Sequence, residues 1–212
     1  MSAALDDRSL TETGLTVKSS GQILLLACGA LAREVLALID ANGWTHMDLH
    51  CLPAILHNRP DAIADAVEAA LQAHRDTYDQ VFVLYADCGT GGRLQARCRT
   101  LGVKMLEGPH CYSFFEGNAV FASRAKEEFS AFYLTDFLVR QFDAFVTKPL
   151  GLDRHPELRD TYFGHYTKLV YQAQIDDPAL TAKAQDCAAF LKLDFERRFT
   201  GYGDLETALK RL

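Results

Sequence analysis

Four cysteines lie where an apolar, strand-like run gives way to a loop. They are Cys28 in ILLLACG, Cys51 in MDLHCLP, Cys88 in VFVLYADCG and Cys111 in VKMLEGPHC. The loops after parallel strands open on one common edge of an α/β sheet, so residues spread over about 80 positions can meet there. Thiolates that converge with histidine nitrogens bind soft metals such as zinc. The pattern therefore predicts a thiol-lined site at the carboxyl edge of a sheet.

The pattern is compatible with two kinds of site, a metal site and a reactive-thiol site. Each residue also has a structural alternative, either a buried cysteine beside a turn or a histidine that caps a helix. Cys98 and Cys187 fall inside predicted helices, so we expect them to be packing residues. His110 is expected either to bind the metal directly or to form a hydrogen bond to a residue that does. The candidate metal ligands are Cys28, Cys88, Cys111, His57, Cys51 and His110.

A glycine-rich turn follows the third predicted strand. In DCGTGG, the backbone N–H groups of Gly89, Gly91 and Gly92 would lie at a helix N-terminus, where they favour a thiolate or an anion. The lysine of a phosphate-binding loop and the G-x-G-x-x-G fingerprint are both missing. The three glycines are therefore candidates for binding a cofactor. The sequence around them matches neither of these two nucleotide-binding motifs.

Residues 112–165 are rich in phenylalanine and are predicted to form an aromatic helical insertion. We expect one side of the thiol pocket to be lined by Tyr112, Phe114, Phe115 and the segment Tyr162–Tyr166, which includes His165. An aromatic wall favours an apolar or cationic group such as a methylated amine through cation–π attraction. Because His165 precedes a strand, it lies instead at the opposite edge unless the preceding helix crosses back.

The elements that must position these residues alternate between strand and helix. Buried strand-like runs at Ile23–Ala27, Met47–Leu52, Val81–Tyr85 and Val103–Leu106 are separated by helical periodicity. This rhythm predicts a Rossmann-like α/β fold with a mostly parallel sheet of five or six strands. Lys168–Ala173 is the expected fifth strand. Residues 1–20 are expected to be a flexible arm, and residues 21–212 a single domain that contains the insertion.

Composition narrows the class of protein. The 212 residues are 49% hydrophobic, enough for a sizeable core, and the net charge of −6 comes without a basic run. Nucleic acid and membrane are therefore unexpected partners, and we expect a small molecule or another protein. The polar N-terminus is unlike a secretion signal, which predicts a cytoplasmic location with reduced thiols. The pattern leaves the oligomeric state open.

Several motifs together carry a resemblance to a known family. LACGALAREV, CLPAILHNRP, YADCGTGG, GPHCYSFFEG and the long string from YLTDFL to YQAQ span about residues 22–207. They resemble an uncharacterised bacterial and archaeal family, domain of unknown function 1638. Its members are often encoded beside corrinoid-dependent methyltransferase systems, so the resemblance implies a place in one-carbon methyl metabolism. It implies no established activity and no tested catalytic residue.

Two functional hypotheses follow, both for a metal-binding protein with zinc as the expected metal. In the first, the metal activates a thiol for methyl transfer, so the protein is a methyltransferase. In the second, it is a non-catalytic accessory or carrier protein that binds a metal, a corrinoid or a folate-type cofactor for methyltransferases. Zinc is preferred over an iron–sulfur cluster because no ferredoxin-like cysteine spacing occurs. An open coordination position would distinguish catalysis from a carrier role.

Overall fold

The computed structural model describes residues 5–212, and these divide into two compact units. The first contains residues 5–111 together with Ala208–Leu212, and the second is Tyr112–Thr207. Within the described range, every helix is too short or too polar to cross a membrane.

The first unit alternates strands and helices, as the sequence predicts. Short 3₁₀ turns at Gly29–Leu31 and Ala54–Asn58 follow two of the strands. The elements in chain order are α1 (Asp7–Glu12), β1 (Leu15–Val17), β2 (Ile23–Cys28), α2 (Ala32–Asn42), β3 (Met47–Leu52), α3 (Pro60–His74), β4 (Gln80–Leu84), α4 (Arg93–Thr100) and β5 (Lys104–Met105).

These strands form one five-stranded sheet in the order β1-β3-β2-β4-β5. All neighbours are parallel except β1, which runs antiparallel to β3. All six residues of β2 are buried, as expected for a central strand of a parallel sheet. The chain winds outward from β2 in both directions, so the strand order reverses between β2 and β4. Crevices at such a reversal are where open α/β sheets bind ligands.

Local signals explain where the helices of this unit begin and end. Helix α2 ends at Gly43, which has a φ of 63° in the left-handed region that glycine adopts readily. Helix α3 begins with Pro60, whose missing N–H would have no partner inside the helix at that position. Both helices bury an apolar side: Val35 and Leu38 in α2, and Val67 in α3.

The expected flexible arm is ordered over residues 5–20, and the rest of that prediction, residues 1–4, lies outside the described residues. Asp6 caps α1 by accepting hydrogen bonds from the backbone N–H groups of Arg8 and Ser9 at 3.2 and 3.0 Å. Leu10 is buried with 1% of its surface exposed. Residues 5–20 thus contain the helix α1 and the strand β1, with the N-cap aspartate and a buried leucine stabilising the helix.

The second unit contains shorter helices and three strands. A π-helical turn at Asp143–Thr147 and a 3₁₀ turn at Pro156–Leu158 complete it. Its elements are α5 (Ser113–Glu116), α6 (Asn118–Arg124), β6 (Ala131–Thr135), α7 (Asp136–Arg140), α8 (Arg159–Phe163), β7 (Lys168–Ala173), α9 (Pro178–Leu191), β8 (Asp194–Phe199) and α10 (Gly203–Leu209).

The predictions of one sheet and of a wholly helical insertion were wrong. Strand β7 has the predicted bounds, but it lies between β6 and β8 in a separate three-stranded parallel sheet. Strand β6 falls inside the stretch that the sequence predicts to be helical. Its five residues, AFYLT, are a short apolar run, and such runs do not distinguish a strand from a buried helix by periodicity. The mixed α/β class and a mostly parallel sheet of five strands are confirmed.

Candidate thiol site

Two cysteines lie in contact at the carboxyl edge of the first sheet. The Sγ atoms of Cys88 and Cys111 are 3.3 Å apart, within hydrogen-bonding distance for sulfur. Backbone hydrogen bonds hold their loops together: the Asp87 N–H donates to the Gly108 carbonyl at 2.9 Å, and the Cys88 N–H donates to the Pro109 carbonyl at 3.0 Å. The pair is therefore fixed by the two loops that follow the adjacent strands β4 and β5.

The backbone of Cys88 adopts a conformation that residues with side chains rarely adopt. Its φ is +45°, and among the described non-glycine residues only Lys192 is also positive. Such a conformation costs about 1–3 kcal/mol and persists where the surroundings enforce it, often at functional sites. Cys88 lies on a sharp strand-to-helix turn between β4 and α4, as the nucleophiles of many enzymes do.

Asp87 enforces this turn. Its carboxylate accepts hydrogen bonds from the Thr90 hydroxyl at 2.7 Å and from the Gly91 and Gly92 N–H groups at 3.2 and 2.5 Å. Burial of the carboxyl raises its pKa, but these hydrogen bonds outweigh burial and hold the pKa below its usual value. The Gly91 and Gly92 amides thus donate to Asp87, and the cofactor-binding role of Gly89, Gly91 and Gly92 stays a prediction.

The Cys88 thiol loses its proton more readily than an ordinary thiol. Its pKa is lowered first by the hydrogen bond from the Cys111 thiol, against the opposing effect of burial. The His57 side chain and the Cys111 backbone N–H also donate to the Cys88 sulfur. The pKa of Cys111 is raised correspondingly, because its proton bridges to the Cys88 thiolate and the site is buried. These pKa directions favour a thiolate on Cys88 and a thiol on Cys111.

Cys28 and Tyr85 lie beside this pair. Burial raises the pKa of Cys28 to about 12, so this residue stays a thiol. Tyr85 is 2% exposed, and burial raises the pKa of its hydroxyl; the four cysteines Cys28, Cys111, Cys51 and Cys88 raise it further. Its hydroxyl makes no hydrogen bond of normal geometry with the described residues, although the Cys28 thiol lies near it. Cys28 and Tyr85 are therefore buried, protonated groups beside the Cys88–Cys111 pair.

Cys51 lies close enough to Cys28 and Tyr85 to interact with them electrostatically, but it is on the other face of the sheet. In the parallel register, Cys51 pairs with Ala27, and Leu52 pairs with Cys28. Successive side chains of a strand point to opposite faces, so Cys51 faces away from Cys28 across the sheet. Burial raises its pKa, and the neighbouring Cys28 and Glu34 raise it further. Cys51 is 1% exposed and has the environment of a packing residue.

Comparison with protein-family models identifies the family of this chain. A family model described as "Protein of unknown function (DUF1638)" matches residues 51–209. This protein belongs to the DUF1638 family. Curated proteins and solved structures gave no significant match to this DUF1638 chain. The matched range contains Cys88, Cys111 and His57, whereas Cys28 lies before it.

His110, Tyr112 and His165 occupy three different environments in this DUF1638 protein. Burial lowers the pKa of His110, which has Cys88, His57 and Asp87 as charged neighbours and so lies beside the thiol pair. The Tyr112 ring stacks on Tyr133 at 5.2 Å within the second unit. His165 is exposed and precedes β7, at the amino end of that strand. The aromatic wall made of Tyr112 and His165 stays a prediction.

The described residues do not present a ready metal site. Across residues 5–212, no group of three or more histidine, cysteine or acidic side chains is arranged to hold a metal ion. Zinc bound by Cys28, Cys88 and Cys111 would require these side chains to rearrange. Binding of zinc, an iron–sulfur cluster or a corrinoid stays a prediction, and elemental analysis with an absorption spectrum of the purified DUF1638 protein would check it.

The sequence pattern does not single out two residues of this site. Tyr85 ends the apolar run VFVLY, which is typical of strand core, although a tyrosine beside a strand-end loop is a candidate for a buried polar role. Asp87 directly precedes Cys88-Gly89, and an aspartate before a glycine-rich turn is a typical acceptor for the turn's amides. Both residues could therefore have been identified from their neighbours in the sequence.

We expect the substitution His57→Ala to raise the pKa of Cys88 by about one unit or more. A hydrogen bond to a charged group contributes about 1.5–3 kcal/mol, and one pKa unit corresponds to about 1.4 kcal/mol. The thiolate of the variant would be lost at a higher pH as the solution is acidified. Ultraviolet absorbance of the thiolate, followed against pH, measures the midpoint. An unchanged midpoint in His57→Ala would contradict a hydrogen bond from His57, and His57→Gln should restore part of the shift.

Proposed function

We propose that this DUF1638 protein is an enzyme in which the Cys88 thiolate accepts a small alkyl group, methyl in the first instance, from an electrophilic donor. The observation that carries the proposal is the placement of Cys88: a left-handed backbone on a strand-to-helix turn, with its sulfur 3.3 Å from the Cys111 sulfur. Nothing in ordinary core packing requires a cysteine in this conformation.

The proposed step balances without a further reactant. An electron pair of the Cys88 thiolate forms a bond to the methyl carbon, the bond from carbon to its leaving group breaks, and the leaving group departs with that electron pair. The thiolate is the nucleophilic form of cysteine, and a positioned hydrogen-bond donor keeps it charged near neutral pH. In the proposed step the donor is the Cys111 thiol, whose sulfur lies 3.3 Å from the Cys88 sulfur.

The exposure of Cys88 supports a small donor group. Only 6% of its surface is exposed, and Cys111 is partly buried. A donor much larger than a methyl or hydroxyethyl group would have to displace the loops that carry Asp87 and Gly108, which are joined by a backbone hydrogen bond. A methyl group is the smallest alkyl group, and it is also the group that the resemblance to a family linked with corrinoid methyltransferases implies.

The test uses iodomethane as a methyl donor at pH 6 and at pH 9. An ordinary thiol with a pKa of about 8.5 is about 0.3% thiolate at pH 6, so Cys88 gains roughly two orders of magnitude in reactive form. Its lower basicity removes about one order of that gain. We therefore expect methylation of Cys88 at pH 6 to be about tenfold faster than that of a small thiol in solution. Peptide mass spectrometry locates the added methyl group.

The matched variants are Cys88→Ser and Cys98→Ser. Cys98 lies in α4, 1% exposed, and burial raises its pKa, so its replacement should leave the pH 6 product unchanged. Cys88→Ser should remove that product. If Cys88 proves no more reactive than an ordinary thiol at pH 6, the nucleophile proposal fails and the accessory or carrier hypothesis is favoured.

A further inference from the structure

We infer that Cys88 and Cys111 form a thiol–disulfide exchange couple, in which Cys88 attacks a low-molecular-weight disulfide and Cys111 resolves the mixed disulfide. This inference rests on the proposed nucleophilic role of Cys88 and assigns it a second class of electrophile, a sulfur atom. The juxtaposition of the two Sγ atoms at 3.3 Å carries it.

The geometry requires only a small approach for the second step. A disulfide bond is about 2.05 Å long, so the two sulfur atoms must close by a little more than 1 Å. The backbone bonds from Asp87 to Gly108 and from Cys88 to Pro109 keep the loops in place while this happens. Two cysteines that only fill space in a core would not need two backbone hydrogen bonds to hold their loops together.

The exchange balances in atoms and electrons. The Cys88 thiolate attacks one sulfur of a disulfide R–S–S–R, which gives Cys88–S–S–R and a departing RS⁻. Cys111 then gives its proton to that RS⁻, attacks the Cys88 sulfur, and releases the second half of the substrate as RS⁻. The protein pair has lost two electrons and one proton, and the small disulfide has been reduced to one thiol and one thiolate.

The positions of the other cysteines favour Cys111 as the residue that resolves the mixed disulfide on Cys88. All six cysteines of the chain are free, so the resolving role of Cys111 has competitors. Cys51 lies across the sheet, and Cys98 is in α4. Cys28 is the other cysteine that could resolve the mixed disulfide. It lies at the end of β2 and interacts with Cys88 only through its charge, without a hydrogen bond. Of the described cysteines, Cys111 is the one held against the Cys88 sulfur.

The experiment uses 2-hydroxyethyl disulfide, a small neutral disulfide, with the full-length protein under anaerobic conditions. In the wild type we expect the loss of two hydrogen atoms by intact mass, and a Cys88–Cys111 cross-link in the peptide map. The variant Cys111→Ser keeps a hydroxyl donor beside Cys88 but cannot resolve, so most of the protein should accumulate as the Cys88 mixed disulfide. Cys98→Ser and Cys187→Ser serve as matched controls and should behave as wild type.

Two outcomes would overturn the inference. One is a wild-type protein that accumulates the mixed disulfide as the Cys111→Ser variant does. The other is a Cys28–Cys88 cross-link in place of the Cys88–Cys111 cross-link. If in either case iodomethane still methylates Cys88 at pH 6, the nucleophile proposal stands without the exchange couple. A Cys88 that reacts with neither reagent would fail both.

Discussion

Replacing Asp87 by alanine is expected to lower the free energy of unfolding by about 3 kcal/mol and to abolish the reactivity of Cys88 at pH 6. The carboxylate accepts from the Thr90 hydroxyl and from the Gly91 and Gly92 N–H groups. Each hydrogen bond to a charged group contributes about 1.5–3 kcal/mol when buried, and the partial exposure of Asp87 reduces the sum. Urea unfolding measures the first effect, and pH-dependent methylation of Cys88 measures the second.

The contribution of Asp87 to stability depends on pH in a defined direction. Its pKa in the folded protein is below the usual value for aspartate, so the folded state binds the proton less readily than the unfolded chain. The stabilisation is therefore complete above the unfolded-state pKa of about 3.9, and it is lost as the pH falls through the lower, folded-state pKa. Wild type and Asp87→Ala should accordingly converge in stability in strong acid.

The matched control for Asp87→Ala is Asp177→Ala. Asp177 caps α9 in the second unit and accepts from the Ala179 and Leu180 N–H groups at 2.8 and 3.2 Å. Its loss should destabilise the protein by about 1 kcal/mol, a typical N-cap value. It should not change the pH profile of Cys88. An Asp87→Ala protein that keeps reactive Cys88 at pH 6 would show that the turn does not depend on this carboxylate.

The first unit could be predicted well because its signals are local. Strand β3 and helix α3 begin and end where alternation, proline and apolar spacing place them. The placement of the thiol loops at one edge followed from the parallel topology. Contact within that edge did not follow, because it depends on which face each side chain takes. Cys51 illustrates the point: its register with Ala27 turns it away, and a shift of one residue would have turned it inward.

The second unit was harder to predict because its sheet depends on pairing between distant segments. Strand β7 has a clear signal, but nothing in KLVYQA says which strands will be its neighbours. Strand β6 precedes it by more than 30 residues, and the aromatic residues of AFYLT suit both a helix and a strand. Tyr133 and Phe132 take opposite faces of the sheet there, so the aromatic run does not form one continuous wall on a helix.

Replacing Gly29 by alanine is expected to destabilise the protein by about 3 kcal/mol. Cys28 is only 7% exposed, and Gly29 does not have a positive φ, so a left-handed turn does not explain the glycine. The position needs glycine because the chain packs closely there. A Cβ atom on Gly29 would lie 2.3 Å from the Leu10 carbonyl oxygen and 3.1 Å from the Leu52 carbonyl oxygen. Overpacking of this kind typically costs about 1–3 kcal/mol, and backbone atoms cannot rotate away as a side chain can.

The control separates this clash from the general effect of adding a side chain to glycine. Gly43 has a positive φ of 63°, and a Cβ atom at that position would have no described neighbour within 4 Å. Gly43→Ala should therefore cost only the left-handed strain of about 1–2 kcal/mol. Urea unfolding of both variants gives the comparison. Because Leu10 belongs to α1, the Gly29→Ala substitution should also displace α1 and make Cys28 accessible to thiol reagents. Equal stability losses in the two variants, with Cys28 still protected, would show that α1 does not pack against Gly29 as the structure has it.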